Sequence, residues 1–161
     1  MAASTKGSGT LPAILIGGLI AGTLDITYAC VFSYIRRGAT PIAVLQSVAS
    51  GALGAKAREG GIKTAALGLF FHFLIALIAA TVYFIASRGL RFMVTQAVVC
   101  GILYGVCVYV FMNCVVLRLS AIHSTTWPWA YPKSVLIGGL LIHMFGIGLP
   151  IALAVRRWGP K

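Results

Sequence analysis

Four polar side chains interrupt otherwise apolar stretches of this sequence, and each is of a type that binds protons, cations or cofactors. Asp25 supplies a carboxylate, His72 and His143 supply imidazoles, and Asn113 supplies an amide. An imidazole titrates near neutral pH and a carboxylate favours a cationic partner, so the four groups together predict a site for a proton or a small cation. Two imidazoles and a carboxylate, with the amide beside them, are also a plausible ligand set for a divalent transition metal.

Each of these residues belongs to a separate apolar run that is long enough to cross a hydrocarbon core of about 30 Å. In lipid only helices and closed barrels satisfy the backbone, and the runs lack the alternation of a barrel strand, so they predict helices. We therefore expect an all-α, polytopic membrane protein of one domain (residues 1–161), folded as an up-down bundle of four transmembrane helices. The predicted spans are residues 11–35, 64–87, 92–117 and 134–155.

Composition supports a membrane protein and excludes a soluble globular domain. The chain is 60% apolar and only 9% charged, against about 25% charged residues in soluble domains. The net charge of +11 comes from 13 Lys and Arg against two acids, Asp25 and Glu59. These bases stand at the ends of the apolar runs instead of clustering along one face of the protein. This placement predicts contact with anionic lipids and no binding of nucleic acid. Two acids are too few for most hydrolytic or phosphoryl-transfer sites, so we expect no enzymatic activity.

The depth and direction of the four polar residues can be estimated from the sequence. Counted from the basic residues nearest the tryptophan-bearing loop, Asp25, His72 and His143 fall within about 3 Å of one another in depth, with Asn113 about one turn shallower. Each lies on the face of its helix that carries small residues, such as Gly22 beside Asp25, and small residues mark close helix contacts in lipid. We therefore expect all four side chains to point into the bundle.

The connections between the spans predict the topology. Arg88–Arg91 is too short for anything but an antiparallel hairpin. The longer connection between the first two spans begins with Thr40 and Pro41, a typical helix start, and predicts a short helix over about residues 41–55 in the membrane interface. Bases concentrated at the helix ends on the side of the termini favour both termini in the cytoplasm.

Two other interpretations of the polar residues stay open at this stage. In one, His72 and His143 are the axial ligands of a haem b in an electron-transfer subunit, because their helices run parallel on a diagonal of the bundle and leave room for a macrocycle. In the other, the chain is an accessory or structural subunit without a ligand, whose polar residues only fix the packing of the helices. The partner would then be another membrane protein or a second copy of the chain.

The sequence also resembles a known group of proteins over all four spans. The segments GGLIAGTLD, HFLIA, MNCVV and HMFGIGLPIAL are similar to those of the small four-span bacterial inner-membrane proteins of the YagU type. That resemblance implies a four-helix fold, a location in the bacterial inner membrane and importance of Asp25, His72 and His143. It implies no mechanism, because the group has no established activity.

Overall fold

The computed structural model describes residues 9–159, and this range is helical without any strand. Four of its helices are long and apolar enough to cross a membrane, which confirms the four predicted spans. A shorter helix lies between the first two of them. In chain order the helices are α1 (Thr10–Arg37), α2 (Pro41–Leu53), α3 (Gly61–Gly89), α4 (Ala97–Leu119) and α5 (Lys133–Trp158).

The bounds of α2 and α4 differ from those predicted. The prediction that α2 begins at Thr40 and Pro41 is confirmed, since the Thr40 side chain accepts a hydrogen bond from the backbone N–H of Ala43. The α-helix ends at Leu53 and continues as a 3₁₀ turn over Gly54–Arg58. The predicted start of the third span, Phe92, is wrong for α4. Phe92–Thr95 forms a separate helical turn, because Gln96 leaves the helical conformation (φ −104°, ψ 41°) before α4 begins.

Glycines let the long helices approach closely, and their neighbours show the register. On α1, Gly18 lies against Leu77 and Gly22 against Phe73 of α3, so residue numbers rise along one helix while they fall along the other. A Cβ added at Gly18 would lie 3.1 Å from the Cα of Leu77. The same opposite register joins α4 to α5, where Gly105 lies against the backbone of His143 and Met144.

One end of the molecule, around the Arg88–Arg91 loop, is closely packed, and we refer to it as the hairpin half. Its tyrosines bond to backbone carbonyls. The Tyr83 hydroxyl donates to the carbonyl of Met93 at 2.9 Å, the Tyr104 hydroxyl donates to that of Ala79 at 2.7 Å, and the two rings meet edge to face. The fully or nearly fully buried core of this half consists of Ala13, Ala80, Tyr83, Phe84, Ala97, Ile151, Ala152 and Val155.

The other end, which we call the α2 half, comprises α2 and the ends of the four long helices next to it. Here α2 packs along α3, and the carbonyl of Leu45 lies directly against Gly68. The side-chain amide of Gln46 donates to the carbonyl of Gly61 at 3.0 Å. The backbone N–H of Ala121, just after α4, donates to the carbonyl of Gly51 at 2.9 Å. These bonds fix α2 between α3 and the connection that follows α4.

Candidate functional site

A cavity of about 350 Å³ lies inside the α2 half, and side chains from all five helices form its wall. The four polar residues singled out in the sequence, one from each long helix, are all part of that wall. Most of the remaining lining is apolar. The polar part of the lining consists of Asp25, Ser47, His72, Asn113, Ser120 and His143.

His72 connects α3 to α1. Its Nε2 lies 2.8 Å from the carbonyl oxygen of Gly22, so Nε2 carries the proton and donates the hydrogen bond. The ring also meets the ring of Phe73 edge to face at 5.6 Å. In the neutral imidazole the remaining nitrogen, Nδ1, is an acceptor. A Cβ added at Gly22 would lie 2.8 Å from the Phe73 ring, so the glycine lets α3 approach α1 closely beside this bond.

His143 bonds within its own helix. Its Nδ1 donates to the carbonyl of Gly139 at 2.8 Å, one turn earlier in α5. Tyr109 of α4 packs its ring edge to face against the imidazole at 5.3 Å. The hydrogen bond to Gly139 fixes the tautomer of the neutral ring, because the proton then sits on Nδ1 and Nε2 is left as the acceptor.

Asn113 also bonds to its own helix. Its amide nitrogen donates to the carbonyl of Tyr109 at 2.9 Å. The amide oxygen is thereby left as an acceptor for a group in the cavity. Asn113 therefore adds an acceptor to the cavity wall and makes no direct bond to His72, His143 or Asp25.

Asp25 differs from the other three because it has no hydrogen-bond or ion-pair partner among residues 9–159. It is half-buried, and it interacts electrostatically with His143 across the cavity. An acid at this depth of a membrane helix is costly when charged and unpaired. The structure shows no direct bond from this carboxylate to either imidazole.

Asp25 and His143 also line a second cavity of about 450 Å³, which we call the vestibule. It lies between α1 and α5 and extends past Ser33 to the exposed Arg36 and Arg37 at the end of α1. The carboxylate and the imidazole therefore stand on the boundary between the inner cavity and a space that leads towards the surface. No residue pattern indicates this second cavity, because it depends on how α1 and α5 are placed against each other.

Two of the polar residues lie in segments of π-helix. Asn113 belongs to Met112–Val116 in α4, and His143 belongs to Ile142–Gly148 in α5. Short π segments inside α-helices are rare and frequent at functional sites. For the second segment the sequence carries one signal, Pro150 two residues beyond it, which has no N–H for an α-helical hydrogen bond; no proline flanks the first segment.

The arrangement does not favour the metal or haem interpretations. No three His, Cys, Asp or Glu side chains between residues 9 and 159 form a group that could hold one metal ion. Each imidazole has one nitrogen bonded to a glycine carbonyl, His72 to Gly22 of α1 and His143 to Gly139 of its own helix, and Asp25 bonds to neither ring. For haem, His72 would have to ligate through Nδ1, since its Nε2 is bonded to Gly22.

The chain matches no protein-family model, no curated protein and no solved structure. The resemblance to the small four-span proteins of the YagU type therefore stays a prediction from the four quoted segments. The chemistry of the site depends on the inner cavity, the vestibule and the Asp25 carboxylate between them.

Proposed function

We propose that this chain is a multi-pass protein of a bacterial inner membrane in which Asp25, together with His143, binds a proton or a small cation for transport. A proton reaches this pair from the vestibule. The bacterial location depends on the resemblance described above. The binding role depends on the chemistry of the α2 half.

The unpartnered carboxylate of Asp25 is the observation that carries this proposal. Placing an acid at the centre of a transmembrane helix costs about 2.5–3.5 kcal/mol on insertion scales. A bound proton removes the charge, and a bound cation compensates it. His143 can share the proton, because it lines the same two cavities, interacts electrostatically with Asp25 and offers Nε2 as an acceptor.

The proposed topology is an up-down bundle with α2 at the membrane surface and both termini in the cytoplasm. The connection after α4 supports this placement, since the exposed Trp127 and Trp129 stack at 4.8 Å, as expected for residues in an interfacial aromatic belt. Arg118 lies over the ring of Trp127 at 3.6 Å. The α2 helix is bonded to this same end through Gly51.

Reaction with dicyclohexylcarbodiimide tests the proposal, because this apolar reagent modifies carboxyl groups that are protonated in a membrane. The chain has two acidic side chains, so mass spectrometry of the digested protein assigns the product directly. We expect modification of Asp25 that increases as the pH falls. Glu59→Gln is the matched control and should leave the reaction unchanged, while Asp25→Asn should abolish it.

If the carbodiimide does not modify Asp25 at any pH at which the protein stays folded, the proposal is contradicted. Modification of Asp25 with no dependence on pH would also contradict it, because the carboxyl group would then not exchange its proton with the solvent.

A further inference from the structure

The inner cavity continues sideways into an apolar groove between α3 and α4. This groove has a volume of about 550 Å³ and an almost wholly apolar lining. It shares part of its wall with the inner cavity, so the two spaces are adjacent. The shared residues are Ile75, Ala79, Val108, Met112 and Val116.

The groove faces outward from the bundle. Ile78, Val82 and Phe111, which line it, are each more than half exposed. In a membrane these side chains face acyl chains, so a molecule dissolved in the lipid reaches the groove without crossing water. Tyr104, which donates a hydrogen bond to the carbonyl of Ala79, lines the groove at its end nearest the hairpin half.

The polar end of this combined space offers acceptors and a negative charge. Asp25 is the one acidic residue within the four membrane helices, since Glu59 lies between α2 and α3. The free nitrogens of His72 and His143 are acceptors, because their other nitrogens donate to Gly22 and Gly139. This set complements a cationic group and repels an anion.

We infer that the inner cavity and the groove together bind a lipophilic organic cation, with its charge near Asp25 and its apolar substituents in the groove. The inference rests on the proposed function, since it assigns a substrate class to the same carboxylate. The volumes of both spaces fall within the range of about 300–1,000 Å³ typical of small-molecule sites, which are mostly apolar with a few placed polar groups.

Binding of such a cation must displace the proton. The O–H bond of the protonated Asp25 breaks, its electron pair stays on the carboxylate, and the proton passes through the vestibule to water. The organic cation then takes the place of the proton as the counter-charge. Affinity for the cation therefore falls as the pH falls, and each cation bound at low pH releases one proton.

Equilibrium dialysis of purified protein in a non-ionic detergent against tetraphenylphosphonium tests the inference. We expect saturable binding to the wild type and none to Asp25→Asn. Ala79→Phe and Val108→Phe each place a ring where cavity and groove meet, and each should weaken binding at least tenfold. Leu74→Phe is the matched control, because Leu74 lies on α3 as Ala79 does, is exposed and lines neither space.

A second assay uses the wild type alone, so it does not depend on how the variants fold. Tetraphenylphosphonium should protect Asp25 from the carbodiimide, while uncharged triphenylphosphine oxide should not. Equal protection by both compounds, or binding that is the same in Asp25→Asn and in the wild type, would overturn the inference. If Asp25 reacts with the carbodiimide but tetraphenylphosphonium neither binds nor protects, the substrate class is wrong and the proposed proton site stands.

Discussion

The hairpin half and the α2 half of this bundle differ in how completely their polar groups are paired. In the hairpin half Tyr83, Tyr104 and Ser87 all donate hydrogen bonds to backbone carbonyls, within a core that is almost fully buried. In the α2 half Asp25 has no described partner. Both buried polar atoms found unbonded among residues 9–159, the Tyr109 hydroxyl and the Nε of Arg118, also belong to the α2 half.

The difference shows how a small membrane protein can hold a polar site. A closely packed core and tyrosines bonded to backbone carbonyls fix the helices at one end. The fixed helices hold the other end open, so the α2 half keeps two cavities and two π segments around an unpaired carboxylate. The hairpin half therefore supplies the stability, and the α2 half carries the chemistry.

The largest expected effect on stability comes from filling a glycine contact between α4 and α5. Gly148 lies against the backbone of Gly101, and a Cβ added to Gly148 would lie 2.5 Å from the backbone nitrogen of Gly105. Because backbone atoms cannot move aside as side chains do, Gly148→Ala should lower the free energy of unfolding by about 1–3 kcal/mol. Thermal unfolding in detergent, monitored by circular dichroism, measures this loss, and we expect a lower Tm than that of the wild type.

The control for this substitution is Gly89→Ala at the end of α3, where an added Cβ would have no atom within 4 Å. It should change the stability by less than about 0.5 kcal/mol. Equal stability of the Gly148→Ala variant and the wild type would mean that this contact does not hold α4 and α5 together.

A smaller effect is expected from Tyr104→Phe, which removes the hydrogen bond from α4 to the carbonyl of Ala79. Hydrogen bonds between membrane helices average about 0.6 kcal/mol, with a maximum near 1.7 kcal/mol. The unfolding free energy, measured by titration with sodium dodecyl sulfate, should fall by this amount. An unchanged unfolding curve would show that the hairpin half does not depend on its tyrosine bonds.

The smallest effect is expected from the corresponding change in the α2 half, Tyr109→Phe. The Tyr109 hydroxyl is buried and has no described partner, so its removal takes away no bond and relieves the cost of burying an unpaired polar group. Stability in the same titration should stay equal to that of the wild type or rise slightly. A loss as large as that of Tyr104→Phe would contradict the contrast between the halves.

The sequence predicted the helices well, because span length and composition are properties of single segments. It also singled out four polar residues that share one cavity, because they lie on the faces of the helices that carry small residues. On α1 these small residues are Gly18 and Gly22, which contact α3 closely, as small residues in lipid usually do. Gly68, a small residue one turn before His72 on α3, packs instead against α2. The pattern shows that a helix is approached closely and does not show by which element.

The features that distinguish the site could not be predicted. The π segment around Asn113 and the break at Gln96 have no proline beside them to signal an irregular helix, whereas the segment around His143 is followed by Pro150. The vestibule and the groove are spaces between helices, so they depend on helix positions that hydrophobicity does not determine.

The central claim is that the α2 half keeps an acid that exchanges a proton inside the membrane. Infrared spectra of the protein in lipid, recorded as a function of pH, test it directly through the carbonyl-stretch band of a protonated carboxyl group. We predict a band that grows as the pH falls, persists in Glu59→Gln and is absent from Asp25→Asn. A band that is unchanged in Asp25→Asn, or lost in Glu59→Gln, would contradict the account.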